Sequence, residues 1–129
     1  MHDSKIKSRT LPILALLAAV GAVFLLLGRD SFAGERIAQP DLYGLEIRQM
    51  TGVDQHTMDL QAEDVLQVCF ACTSGSLRLE IIAPSGAAVY SGDGRQVTQF
   101  TVTAPEAGAY TLAVTARHAR GSLRIQRQQ

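Results

Sequence analysis

From residue 64 to the end of the chain, apolar and polar side chains alternate with a period of two, and no helical period appears. Leu66, Val68 and Phe70 fall on one face and Gln67 on the other. Leu77, Leu79 and Ile81 oppose Arg78 and Glu80; Phe100 and Val102 oppose Thr101 and Thr103. Tyr110, Leu112 and Val114 oppose Thr111 and Thr115, and Leu123 and Ile125 oppose Arg124 and Gln126. A segment with one dry and one wet face buries the dry face against another such segment, which is the requirement of two packed antiparallel sheets. Strands are expected over residues 45–49, 56–60, 64–71, 76–82, 87–91, 97–103, 110–116 and 122–126. The fold class expected is all-β, an antiparallel β-sandwich of jelly-roll-like form over residues 45–129.

Turn chemistry separates the segments. Ala83-Pro84-Ser85-Gly86 and Ala104-Pro105-Glu106-Ala107-Gly108 each place Pro where φ is fixed near −65° and Gly near the turn's end. The first is expected to close a hairpin between residues 76–82 and 87–91. Gly75-Ser76 and Gly121-Ser122 read as strand starts, and Gly92-Asp93-Gly94 as a further reversal. Residues 34–44, polar and containing Pro40, read as part of a linker over residues 29–44.

These residues resemble a family pattern. Gly75-Ser76, the apolar-alternating segment to Ala83, Pro84-Ser85-Gly86, Val89-Tyr90, the run from Phe100 through Val114 and a final strand after Gly121 are similar to small extracytoplasmic β-sandwich domains of the GOLD-like and bacterial pre-peptidase C-terminal type. The resemblance covers residues 64–126, about half the chain. It implies a sandwich that serves as a non-catalytic interaction or accessory module. It carries no site residues over.

The N-terminal part fixes an expected compartment. Residues 11–27 are uncharged, with Lys5, Lys7 and Arg9 before them and Arg29 and Asp30 after. At about 1.5 Å per residue, a helix of this length approaches the ~30 Å hydrocarbon core of a bilayer. Pro12 falls in its first turn, where a missing N–H costs little. The basic N-terminal flank favours an N-in, C-out orientation. Residues 1–10 then form a basic cytoplasmic N-terminus and residues 11–28 a transmembrane anchor or the core of a signal peptide. Two fates remain open: an uncleaved anchor at the cytoplasmic membrane, or cleavage after the Ser31-Phe32-Ala33 site to release a secreted or periplasmic domain. No Cys stands directly after the run, so a lipoprotein signal is excluded. Ala15, Ala18, Ala19 and Ala22 give small-residue spacings of the kind that let membrane helices approach.

Composition narrows the function. Of 129 residues, 12 are basic and 12 acidic, so there is no electrostatic footprint for nucleic acid. Trp is absent, and the few aromatic residues fall at alternating strand positions, which argues for core over a stacking platform. Cys69-Phe70-Ala71-Cys72 has the spacing of a thiol-disulfide motif, but that motif works at a helix N-terminus. On a strand, Cys72 shares the face of Phe70 and Cys69 faces away. Cys69 and Cys72 therefore stand as unpaired thiols, a disulfide at a strand end, or a redox pair. His2, His56 and His118 are too scattered for a metal site, and no second Cys pair completes a zinc tetrahedron. Glu63-Asp64 reads as a solvated turn, and Asp93 alone cannot supply the oxygens calcium needs. No Gly-x-Ser-x-Gly elbow is present. Arg117, Arg120, Arg124 and Arg127 make the C-terminal part basic, suited to anionic lipid or an acidic partner, or to a charged edge strand that resists pairing.

The chain is thus expected to have no catalytic, cofactor-binding or metal-binding residues, and to meet the membrane through residues 11–28. Its partner is expected to be an unidentified extracytoplasmic protein, met at loops or by strand addition. The alternatives are a thiol-disulfide redox protein using Cys69 and Cys72, and a binder of a small ligand inside the sandwich.

Overall fold

The computed structural model describes residues 30–95 and 98–128. The apolar run at residues 11–27, and with it the expected N-terminal helix, lies outside the described residues, as does His2. Strands β1 (Ser31–Gln39), β2 (Leu42–Leu60), β3 (Val65–Ile82), β4 (Ala88–Gly92), β5 (Gln99–Thr103) and β6 (Gly108–Arg127) form one antiparallel sheet, and no helix occurs among the described residues. The sheet order is β1-β2-β6-β3-β4, with β5 also on β3.

Three of these strands are long and bent. β2 shifts register against β6 between Ile47 and Gly52, and β3 shifts against β6 between Cys72 and Ser76. Each shift reverses which parity faces inward. In β3 the buried residues are Leu66, Val68 and Phe70 before the shift and Leu77, Leu79 and Ile81 after it. In β6 they are Tyr110, Leu112, Val114 and Ala116, with the small Ala113 also covered, then Ala119, Leu123 and Ile125. An added residue on one strand unpairs, bends the chain and lets it pass from one layer to another. Gly75 (φ 71°) in β3 and His118 (φ 47°) in β6 hold the left-handed conformations that make these bulges.

The bends divide the sheet into two arms. The first holds β1, residues 42–47 of β2, 121–127 of β6, 65–72 of β3, and β5. The second holds residues 52–60 of β2, 108–116 of β6, 76–82 of β3, and β4. The buried side chains of both arms form a single cluster that includes Tyr43, Leu45, Phe70, Leu79, Leu112 and Ile125. With no helix among the described residues to cover these faces, each arm buries the other's dry side. The expected hairpin is present: β3 pairs β4, and within the connection Gly86 N–H donates to the Ala83 carbonyl at 2.9 Å. The β5–β6 connection carries the chain from the first arm to the second. It is pinned by Tyr110, whose hydroxyl donates to the Glu106 carbonyl at 2.6 Å and accepts the Glu106 N–H at 3.2 Å.

Three expectations change. Residues 31–39, expected as linker, form β1, and Pro40-Asp41 makes the tight turn into β2, with Gln39 opposite Leu42. Gly75-Ser76 and Gly121-Ser122 do not start strands; they lie inside β3 and β6 at the bends. β6 is not a charged edge strand, because it pairs with β2 on one side and β3 on the other. Arg124 lies on the outward face of this central strand, Arg117 and Arg120 are exposed at its bend, and Arg127 pairs with Asp41 and Asp64 at its end.

Candidate functional site

β1 pairs with β2 only as far as Thr51, where β2 bends into the second arm. Residues 53–60 of β2 then pair with β6 alone among the described residues, and their other edge is free. Where the two arms part on this flank, a cleft of about 290 Å³ opens between β1 and the bend of β2. Leu45 and Met50 reach it from the core, Phe32 and Val53 add apolar wall, and Arg36 and Asp54 add charge. Phe32 is 43% exposed, unusual for a large apolar side chain in this molecule. The cleft lies at the flank and not in the interior, unlike the enclosed cavity that a ligand binder inside the sandwich would require.

Beside the cleft, a polar group bridges the arms. Arg36 of β1 donates through Nε to Asp54 Oδ2 at 2.9 Å and through a terminal nitrogen to the Gln55 carbonyl at 3.2 Å. The second bond occupies one backbone acceptor of the free β2 edge. Tyr43 donates its hydroxyl to the same Asp54 oxygen. The Tyr43 ring stacks on His56 with centroids 5.1 Å apart, and the Arg36 guanidinium lies 5.8 Å from the Tyr43 centroid. His56 Nε2 is 2.8 Å from the Gln39 carbonyl oxygen. The group ties edge strand β1 to the second arm and shapes one wall of the cleft.

Tyr43 is buried, and desolvation is the main reason its hydroxyl is held well above the ordinary tyrosine range, with the bond to Asp54 adding to the effect and Arg36 opposing it. Tyr90 is raised in the same direction, first by desolvation and then by Asp93. A tyrosine held neutral in the folded chain keeps its proton to higher pH than in the unfolded chain. Below the ordinary value near 10 this contribution to stability is complete; above it the unfolded chain sheds a proton that the folded chain retains, and stability falls by at most about 1.4 kcal/mol per pH unit for each such group. Urea unfolding of the full chain in detergent micelles between pH 9 and pH 12 should show this loss. Tyr43→Phe should flatten the slope while leaving the part owed to Tyr90. An unchanged slope in that variant would remove Tyr43 as its source.

The sequence-derived candidates are dispersed. Cys69 and Cys72 carry free thiols, both half-buried. Cys69 pairs with Arg124 and Cys72 with Gly121 in an extended ladder, so the two side chains point to opposite faces. Cys72 packs against the core, its Sγ 3.5 Å from the Ser74 carbonyl. Neither sits at a helix N-terminus. His118 is at the β6 bend, with its N–H donating to Thr51 Oγ1 at 3.0 Å. Glu63 takes a turn conformation with φ 72°, and Asp64 accepts the Gln61 N–H at 2.8 Å. Asp93 accepts the Arg95 N–H at 3.1 Å. Among the described residues no three His, Cys, Asp or Glu side chains converge. Arg36, Tyr43 and Asp54 carry no sequence signal as a set, since Arg36 and Asp54 are 18 positions apart and meet only because β1 folds back on β2.

Fold and flank together define an all-antiparallel β module with an open edge. No family model matches the chain, and no curated protein matches it. Among solved structures it is similar to a periplasmic inhibitor of g-type lysozyme from Aeromonas hydrophila, with 16% identity over 76% of this chain and 89% of that one and a TM-score of 0.49. It is also similar to a structure of accessory secretory proteins 1, 2 and 3 from Streptococcus pneumoniae, at 11% identity over 74% of this chain and 86% of that one, with a TM-score of 0.38.

Proposed function

We propose that the chain is a non-catalytic extracytoplasmic interaction module. Residues 11–28 hold it at the cytoplasmic membrane, or release it after cleavage near Ala33, and it binds a protein partner by strand addition. The observation that carries this reading is the free edge of β2 at residues 53–60, running out from a cleft with an exposed Phe32. An unpaired edge offers backbone donors and acceptors in register, and an adjacent apolar pocket gives side-chain selectivity. The resemblance of residues 64–126 to GOLD-like and pre-peptidase C-terminal sandwich domains supports the same reading.

Gln55 is the discriminating position. Its carbonyl faces the free edge, where Arg36 reaches it, so its N–H faces the same way and takes no part in the ladder to β6. Proline there removes an edge donor without removing a ladder bond. A photo-crosslinking residue at Thr57, on the full chain in native membranes, should yield a discrete polypeptide adduct. Gln55→Pro should weaken that adduct at least about tenfold, the equivalent of one or two lost backbone bonds. An adduct of equal strength in Gln55→Pro, or one as strong from Thr101 on the outward face of β5, would remove strand addition at this edge.

A further inference from the structure

The two ends of the molecule differ in charge. At the bend, Arg120 of β6 donates through Nε to the Arg48 carbonyl of β2 at 3.0 Å, and Arg117 and His118 precede Arg120 on the same turn of β6, with His118 bonded to Thr51 of β2. Arg95 joins them from the β4–β5 connection by donating to the Gly75 carbonyl, next to the backbone of Arg117 and His118. All four arginines are exposed, and among the described residues none is in an ion pair. Asp30, beside Gly52, and Asp93, on the Arg95 N–H, adjoin this ridge, and the exposed Glu46 stands two residues before Arg48 on β2. The opposite end carries Asp41, Glu63, Asp64 and Glu106, with Arg127 paired to Asp41 at 2.8 Å and to Asp64 at 3.7 Å.

The chain enters the sheet at the basic end. Ser31 begins β1 opposite Thr51, and Thr51 Oγ1 accepts the His118 N–H. Residue 28, where the expected anchor ends, is three residues from Ser31. Three residues reach roughly 10 Å at full extension. A ridge so close to a bilayer sits within about one Debye length of its surface at physiological ionic strength, where unpaired guanidinium groups still feel headgroup charge.

We propose that the ridge of Arg48, Arg95, Arg117 and Arg120 rests on the phosphates of an anionic lipid surface and sets the orientation of the domain on the membrane, with the free β2 edge running outward toward a partner. The proposal rests on residues 11–28 being a membrane anchor. Guanidinium suits it because its planar fork takes phosphate oxygens in pairs.

The test uses the full chain in discs of neutral phosphatidylcholine and in discs that also contain phosphatidylglycerol. Amide hydrogen exchange at residues 48–52 and 117–121 should slow about fivefold or more in the anionic discs, the factor that corresponds to one arginine held at a charged surface. Exchange at residues 77–81 should not differ. The slowing should vanish in about 0.5 M salt, where the Debye length falls to about 4 Å, and in Arg48→Gln/Arg117→Gln, and return in Arg48→Lys/Arg117→Lys. Equal exchange in the two discs overturns the proposal. Slowing seen only on adding polyglutamate overturns it in favour of an acidic polypeptide. Flotation of the same chain with neutral vesicles reports the anchor separately: a chain that does not float refutes the anchor, and one that floats with an indifferent bend refutes the ridge alone.

Discussion

Gly75→Ala is expected to cost about 3–5 kcal/mol, enough to unfold much of the chain, while Gly44→Ala stays within about 0.5 kcal/mol of the parent. Gly75 has φ 71°, a conformation that costs an L side chain about 1–2 kcal/mol by itself. A Cβ there would stand 2.7 Å from the Arg117 carbonyl oxygen and closer still to that of His118. Both obstacles are backbone, so neither can rotate aside. The β3 bulge would have to separate from the β6 bulge, and the two arms would lose their hinge. Gly44 lies in the same sheet and is the more enclosed of the two, buried where Gly75 is exposed, yet its added methyl would meet Leu123 O at 3.6 Å and Ile37 Cβ at 3.9 Å, ordinary contacts. The pair separates the demand of the bend from the general cost of adding a methyl to a sheet glycine. Urea unfolding followed by circular dichroism measures both. A Gly75→Ala chain as stable as Gly44→Ala would mean that the bend is not held by this close approach.

Which side of each strand is dry was legible from residue types alone. Leu66, Val68 and Phe70, then Leu77, Leu79 and Ile81, are buried as the alternation requires. The bends were not legible, for a physical reason. A bulge reverses parity, and a reversal of parity around Thr73-Ser74-Gly75 looks in sequence like one strand ending and another beginning. Only pairing with a continuous neighbour separates the two cases, and β6 supplies it on both sides of the bend. The same ambiguity split β2 and β6 into shorter segments. β1 leaves little trace in the sequence because its dry face is narrow. Its side chains are nearly all exposed, and a strand that buries little shows little alternation. Pro40-Asp41 was the one signal available, as a turn between two extended segments.

The flank site was less legible than the fold. His56 and the two cysteines attract notice because their side chains carry chemistry. The geometry instead joins His56 to Tyr43, Arg36 and Asp54, and leaves Cys69 and Cys72 on opposite faces of β3. Arg36 and Tyr43 come from the hairpin of β1 with β2, whereas Asp54 and His56 lie past the β2 bend. A site assembled across a hairpin and a bulge leaves no spacing to read. The same bend that hides the site gathers the arginines of two strands at one end.

Phe70→Ala is expected to destabilise the chain by about 3–5 kcal/mol and to loosen one connection selectively. Phe70 is 1% exposed and stands where β3 approaches its bend in the first arm. Removing the ring forfeits its burial and leaves a cavity that a sheet pinned on both sides cannot readily close. The ring also supports the β4–β5 connection, since a Cβ placed on Gly94 would lie 3.0 Å from it. Backbone bonds from Phe70 N–H to the Thr98 carbonyl at 2.8 Å and from Cys72 N–H to the Gly94 carbonyl at 3.1 Å hold that connection against β3. Without the ring, the flanks of these bonds open to water, so amides of residues 70 and 72 should exchange faster than the global loss of stability accounts for. Phe32→Ala is the contrast, because a ring already 43% exposed at the cleft gives up little buried area and should cost less than about 1 kcal/mol. Equal losses in the two variants would mean that the interior between the arms is not packed around Phe70, and that the bent sheet is held by its ladders instead.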